Sequence, residues 1–455
     1  MKRRLSRRDF LKLAAVGTVG LALSACGAPA TETPVEEAAA DTLPEAPPAP
    51  QEKQVVTFTM YGHPGLIEQM VPIFNETHDD VEVEFERSEG QGYWEKLTAA
   101  VAAGQAWDCF RGDQNRALWW GPKGAVADIT PYLEADASYP ADNYIEGTLD
   151  AYTVGGKLFG LPAWALTMWL FYNKNIFDEA GLDYPNTETT WEDMVDMAIE
   201  LTKRDDDGKI TQYGTNGWDG WTFPVAQVVW SNGGHFYYND DLTKASVDDP
   251  ETIKAMQDIA DLIHIHKTNP SPLSPPSSPV GLLSDNVAMV ADGDYLPADN
   301  REVFMEKYEY LDATLPPSRN GNRANIYWPD ALLINAKSDV QEGAYKWLSW
   351  FSADPDSIGI QCEVVFPVVK NAYRDPDITK RWLVSPRPPG MIEAALQHSE
   401  NAKLWQAELH ISELDTIYYN EVSRLWNNEA SAEEVLTQMD QLMDEVMAEP
   451  VDVEF

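Results

Sequence analysis

Beyond residue 52 the chain settles into alternating apolar and polar positions. Residues 53–60 read KQVVTFTM, a β-rich run that predicts a first strand. Positions 61–64 read as a turn, and 66–77 as an amphipathic helix. Residues 81–87, VEVEFER, alternate strictly and predict a second strand. A helix is expected over 93–103, stopped at Gly104, and a third strand over 107–111. This β-α-β-α-β order is the start of an open sheet with helices on both faces, so the fold class is α/β.

Residues 155–182, GGKLFGLPAWALTMWLFYNKNIFDEAGL, form the most ordered stretch of the pattern. A Gly-Gly turn leads to an extended run over 158–161 that Pro162 is expected to stop. A second run over 165–172 is too apolar to have a wet face and is expected inside a sheet. Asn173 then starts a helix that Gly181 ends. Trp164, Thr167 and Trp169, at the start of the second run, are candidate contact residues. Further on, helices are expected over 191–203 (capped by Thr189 or Thr190), 225–230, 251–264 and 338–351, with 394–447 nearly all helical. Strands are expected over 311–316 and at ALLIN, 331–335, and a Pro-Ser loop over 268–279 could by itself be taken for a domain linker.

A chain of 455 residues is too long for one ordinary core, and two domains are expected. Lys plus Arg number 33 against 74 Asp plus Glu, a formal charge of −41 that argues against nucleic acid and broad adhesion to anionic lipid. Such a surface favours a soluble monomer. Three cysteines are too few for a disulfide framework. Cys109 and Cys362 read as two buried thiols, with a bridge between them left open.

The first fifty residues read as an address. Ser6-Arg7-Arg8-Asp9-Phe10-Leu11-Lys12 matches the twin-arginine export signal, and the apolar run over 13–23 is too short and weakly apolar to be a permanent span. Leu23-Ser24-Ala25-Cys26 resembles a lipobox, in which Cys26 would be lipidated and become the mature amino terminus. Residues 1–25 are thus expected to be a signal peptide. Residues 26–52, rich in Ala, Pro, Glu and Thr, are expected to be a disordered tether. Its extended reach would be on the order of 70 Å at about 3 Å per residue.

The pattern G-x-L-x-G-L-P, an apolar strand ending Y-N-K and then F-D-E-A-G-L resembles the extracellular solute-binding proteins of family 1. So do F-N-x-x-H, Y-x-x-K-L-x-x-A-x-A-A-G, A-M-x-x-x-G and the closing SAEEVLTQMDQLMDEVM. Two departures stand out: Trp107 takes the place of the usual Pro before the Asp, and the Gly of the segment near 364–369 is replaced. The resemblance covers the chain from Val55 on. It implies a periplasmic-binding-protein-like fold with two discontinuous lobes around a hinge and a ligand cleft between them. The amino-terminal lobe would comprise 53–165 and 320–372, and the carboxy-terminal lobe 166–319 and 373–455. It also implies an ABC importer's binding lipoprotein, lipid-anchored on the extracytoplasmic face of a bacterial membrane. Such a protein takes a carbohydrate or polyol, hands it to a membrane permease, and performs no chemistry.

Candidate ligand contacts follow from both readings. Ligands of open α/β sheets lie beyond the carboxyl ends of strands, and the polar loop after the third strand offers Asp113 and Gln114; Asp113 reads equally as a helix cap. The 16 Trp and 19 Tyr must mostly pack cores, yet aromatic faces also grip sugar rings by dispersion. The resemblance adds Trp218 and Trp221 from the loop NGWDGWTF, Asp294 and Tyr295 after A-M-x-x-x-G, and Trp328 and Asp330 before ALLIN. No cofactor is expected and no metal site. The run Asp205-Asp206-Asp207-Gly208-Lys209 lacks the ligands that complete a calcium loop and reads as a turn, and His235, His264 and His266 lack a partner at zinc spacing. The alternatives are a secreted carbohydrate-active enzyme, for which no nucleophile, metalloprotease or phosphate-loop motif is found, and a sensory binding lipoprotein.

Overall fold

In the computed structural model, residues 53–449 are described apart from 89–91, 219, 240–241, 273–280, 383–386 and 406–409. The signal, tether and Cys26 read from residues 1–52 lie outside the described residues, as does most of the Pro-Ser loop.

The chain opens as the pattern predicts: β1 (Gln54–Met60), α1 (Pro64–Thr77), β2 (Val81–Arg87), α2 (Tyr93–Ala103), β3 (Cys109–Gly112) and α3 (Gln114–Trp120). Strands β2 and β3 both run parallel to β1, so their carboxyl ends share one edge. In β2 the valines Val81 and Val83 are buried while Glu82 and Glu84 face solvent, as alternation requires. After the short hairpin Thr153–Val154 and Lys157–Leu158 comes β4 (Leu161–Asn173), thirteen residues of which all but Leu166 are buried.

Pro162 does not stop this strand, contrary to expectation. It pairs with Ala331 where the ladder shifts register between Pro329 and Ala331, so its missing N–H falls at an irregular step. The chain continues with α4 (Lys174–Ala180), α5 (Trp191–Leu201), β5 (Ile210–Asn216), α6 (Thr222–Ser231), α7 (Pro250–His264), β6 (Val287–Gly293), β7 (Leu311–Thr314) and β8 (Asn325–Ile334). Thr190 caps α5 in a reciprocal box with Asp193. That helix ends two residues before the expected 203, because Lys203–Arg204 turns out to pair with β5. The pattern missed β5 itself, being polar and interrupted by Gly214. A Cβ at Gly214 would lie 2.0 Å from the Ala198 carbonyl oxygen, so glycine lets α5 approach the strand. The chain closes with α8 (Gln341–Ala353), β9 (Ala402–Leu404), α9 (Ile411–Trp426) and α10 (Ala432–Met447). Strand β9, which pairs with Asn325–Tyr327 of β8, interrupts the tail expected to be nearly all helix.

Ten strands form one sheet among the described residues, in the order β2-β1-β3-β8-β4-β6-β5 and then Lys203–Arg204, with β7 on β4 and β9 on β8. Strand β4 joins the halves: Leu161–Thr167 pairs with β8, and Met168–Tyr172 with β6. Three apolar cores flank this sheet. One draws on 56–164 and 331–365, among them Val56, Phe110, Trp164 and Trp347. A second draws on 168–291, 324–326 and 405–443, including Met168, Trp218, Trp405 and Met439. The third packs Ala165, Trp169, Tyr327, Phe366 and Val369 together. Cys109 is a free, buried thiol of the first core, and Cys362 is buried in the third.

Candidate functional site

Where β1 and β3 end, side chains from five elements and from the loop after β1 converge. Arg111, next to last in β3, donates from Nη2 to Asp330 Oδ2 at 2.5 Å and from Nη1 to the Tyr61 carbonyl at 2.9 Å. Its guanidinium lies 4.4 Å from the Tyr61 ring centre and 5.6 Å from that of Trp164. Burial pushes the Asp330 carboxyl up, while the Arg111 charge and a Trp164 hydrogen bond pull it back. Tyr93 donates its hydroxyl to the Arg111 carbonyl at 2.6 Å, and its ring packs 5.0 Å from Tyr61 and 4.9 Å from Trp94. Arg116, in the first turn of α3, lies over Trp94 at 3.8 Å and pairs with Asp113. His63, in the left-handed region at φ 44°, sets its ring edge-on to Trp164 at 5.6 Å, and its Nδ1 lies 3.8 Å from Asp299 Oδ1. Burial, aided by the Arg111 charge, lowers His63 to about 4, so its ring is neutral at pH 7.

A second patch is a run of rings. Trp221, the residue before α6, packs edge-on to Phe223 at 5.4 Å, and Phe223 lies 4.5 Å from Trp328. Trp328 stacks on Trp405 at 5.7 Å with an interplanar angle of 11°. Trp405 in turn meets Trp230 at 5.5 Å. Trp221 and Trp328 are half-buried and so keep surface on offer. The Trp328 Nε1 is a buried donor with no partner among the described residues.

The structure thus brings Asp113, Trp164 and Asp330 together in the first patch, and Trp221 and Trp328 in the second. Asp113 accepts the Arg116 backbone N–H at 2.8 Å as the cap of α3, the plainer of its two readings. Gln114 is buried beside it, its Oε1 without a partner among the described residues. Tyr295 donates to Asp292 Oδ1 at 2.9 Å. The remaining candidates stand elsewhere. Trp218 is fully buried against Trp191, and Trp169 is stacked on His398 and Phe366 at 4.7 and 5.2 Å. Asp294 is buried, accepting from the Thr167 N–H at 3.1 Å and the Phe366 N–H at 3.0 Å. Thr167 is buried too, and its Oγ1 accepts from the Trp169 indole at 3.0 Å. Trp169, Asp294 and Thr167 make a packed junction of chain segments, while Trp218 belongs to the second core. The sequence reading missed Tyr61, His63, Trp94, Arg111, Arg116 and Trp405. Applying the carboxyl-end rule to the first strand as well as the third would have found Tyr61 and His63.

Among the described residues no group of His, Cys, Asp or Glu is placed to hold a metal ion. Asp205 closes its own turn, accepting from the Asp207 and Lys209 N–H groups. The arrangement suits recognition: ring faces, flat guanidinium groups and carboxylates fixed by their neighbours.

A model of bacterial extracellular solute-binding proteins matches residues 60–356. An arabinooligosaccharide-binding protein of Halalkalibacterium halodurans is 31% identical over 127 residues, 28% of this chain and 26% of that one. A mannitol-binding protein of Pseudomonas aeruginosa is 28% identical over 155 residues, 33% of this chain and 34% of that one. The chain therefore spans about a quarter to a third of the length of these relatives in the matched segments. An ABC substrate-binding protein from Listeria monocytogenes, solved in complex with cycloalternan, superposes with a TM-score of 0.76 at 24% identity, covering 87% of this chain and 99% of that one. This likeness fixes the fold as periplasmic-binding-protein-like. With a family model covering residues 60–356, the chain belongs to the bacterial extracellular solute-binding proteins.

Proposed function

We propose that this protein is the substrate-binding lipoprotein of an ABC importer. It captures a mono- or oligosaccharide, or a related polyol, between two lobes that close about a hinge, and delivers it to a membrane permease. The lobes are 53–165 with 320–372, and 166–319 with 373–455, anchored at the membrane through Cys26 after twin-arginine export. The observation that carries this reading is the pairing of two aromatic patches on the strands that would join the lobes. Trp164 on β4 and Asp330 on β8 belong to the cationic patch, and Trp328 on β8 to the ring stack. The division of the first two cores along nearly the same boundaries supports the lobes. The named relatives bind an arabino-oligosaccharide and a mannitol, which supports the ligand class.

The test is thermal unfolding of residues 26–455, with Cys26→Ser, against a panel of sugars and polyols. A ligand of the folded state raises Tm by mass action, by about 2.7 kcal/mol of stability at 100 times Kd. A hit recovered unchanged after overnight incubation is the expected result. A hit that is consumed would move the assignment to an enzyme, and silence across the panel would sink the carbohydrate reading.

A further inference from the structure

We infer that the ligand carries no negative charge: the site is built for an uncharged or amino-substituted saccharide and rejects uronates and sugar phosphates. This rests on the carbohydrate reading above and names its charge class. A site for an anion presents a cation whose charge is not already spoken for, usually with donors aimed outward. Here each guanidinium has its own carboxylate, Arg111 with Asp330 and Arg116 with Asp113. Each also lies over a ring, at 4.4 Å from the centre of Tyr61 and 3.8 Å from that of Trp94. Both Nε groups are buried.

The next polar group in line, His63, is neutral at pH 7. Beyond it lies a carboxylate, Asp299, 55% exposed at its side chain and 3.8 Å from His63. A ligand carboxylate or phosphate entering beside His63 meets two matched cations and the Asp299 carboxylate. Like charges juxtaposed in a partly dry site cost enough to weaken binding about 100-fold or more. A ring hydroxyl meets no such penalty, and an ammonium group would find Asp299 as its counter-ion.

The experiment is a matched titration of residues 26–455, Cys26→Ser, by calorimetry at low salt and at about 0.5 M salt, where exposed charge effects are screened. The probes are glucose, glucosamine, glucuronate and glucose 6-phosphate, with mannitol and maltotriose for the neutral class and sn-glycerol 3-phosphate for the anionic. The expected result is binding confined to neutral or amino members, with anionic counterparts about 100-fold weaker at low salt. An anionic probe bound as tightly as its neutral counterpart would overturn the inference and leave the carbohydrate reading standing. Silence from every probe would overturn both. Asp299→Asn supplies a second readout: the neutral-to-anionic affinity ratio should fall several-fold. An unchanged ratio would remove Asp299 from the charge barrier and overturn the inference as argued.

Discussion

Arg111 and Asp330 are 219 residues apart in sequence, yet each is the other's main electrostatic partner. Both side chains are 12% exposed, so neither charge can be left alone cheaply. Replacing Asp330 by Leu strands a buried guanidinium and should cost about 3–5 kcal/mol in chemical denaturation. Replacing Arg111 by Met in the same chain removes the stranded charge, and most of that loss should return. Ligand affinity should not return, because the flat cation over Tyr61 and the fixed carboxylate beside Trp164 are both gone. A double variant that binds as well as the parent would move the pair from recognition to scaffold. This pair also shows how much of the site was legible. Asp330 was found through the motif before ALLIN, but nothing local in CFRG marks Arg111 as its mate. The Trp candidates show the same limit. Trp164 and Trp169 sit five residues apart on one apolar run, and only the packing of segments distant in sequence decides that Trp164 meets Arg111 while Trp169 meets His398.

At the scale of elements, β4 is the member on which the rest depends. Its composition betrayed its burial, so a strand inside the sheet was readable; its length was not, because the bulge beside Pro162, where Ala163 and Trp164 stand against Asp330 alone, exists only in the pairing with β8. Asp294, just past β6, ties this strand to the segment at Phe366 through backbone amides of both. Sequence placed it beside Tyr295 as a ligand contact, since a carboxylate's backbone partners cannot be read at a separation of 127 residues. Burial pushes Asp294 up to about 7 from 3.8, against the pull of the Thr167 amide, the Arg387 charge and the Phe366 amide. The folded pKa lies above the unfolded one, so the native state holds the extra proton. Its stabilising contribution is full below 3.8 and is lost as pH rises through 7. The swing is on the order of 4 kcal/mol. Asp294→Asn cannot titrate. The stability of the parent relative to this variant should therefore be greatest near pH 4 and shrink as pH climbs to 8, read from urea midpoints across that range. A pH-independent difference would mean that Asp294 ionises normally.

For the whole molecule, the two-lobe arrangement proposed above has the chain cross between the lobes three times at one place. Strand β4 makes the first crossing, β8 the second, and the segment from Phe366 to Val369 the third. The third core packs residues of all three together: Ala165 and Trp169, Tyr327, and Phe366 with Val369. A bridge pairs Ala165 with Phe366, and another pairs Tyr144 with Val369. Three crossings fastened to one another leave little freedom for sliding, so relative motion of the lobes reduces to rotation about this core. The two aromatic patches lie on the same strands, near Trp164 and Trp328, so rotation changes the gap between them more than it changes either patch. A ligand held by both then favours the closed arrangement by its differential affinity for it. Small-angle scattering should show the radius of gyration fall when a bound sugar saturates the protein. Amide exchange at Thr167 and Phe366 should stay slow with and without that sugar, because their hydrogen bonds to Asp294 lie at the pivot. Saturation without contraction would refute closure. Contraction with exposure of those two amides would instead mean that the pivot opens, and that the lobes move by breaking this core and not by turning about it.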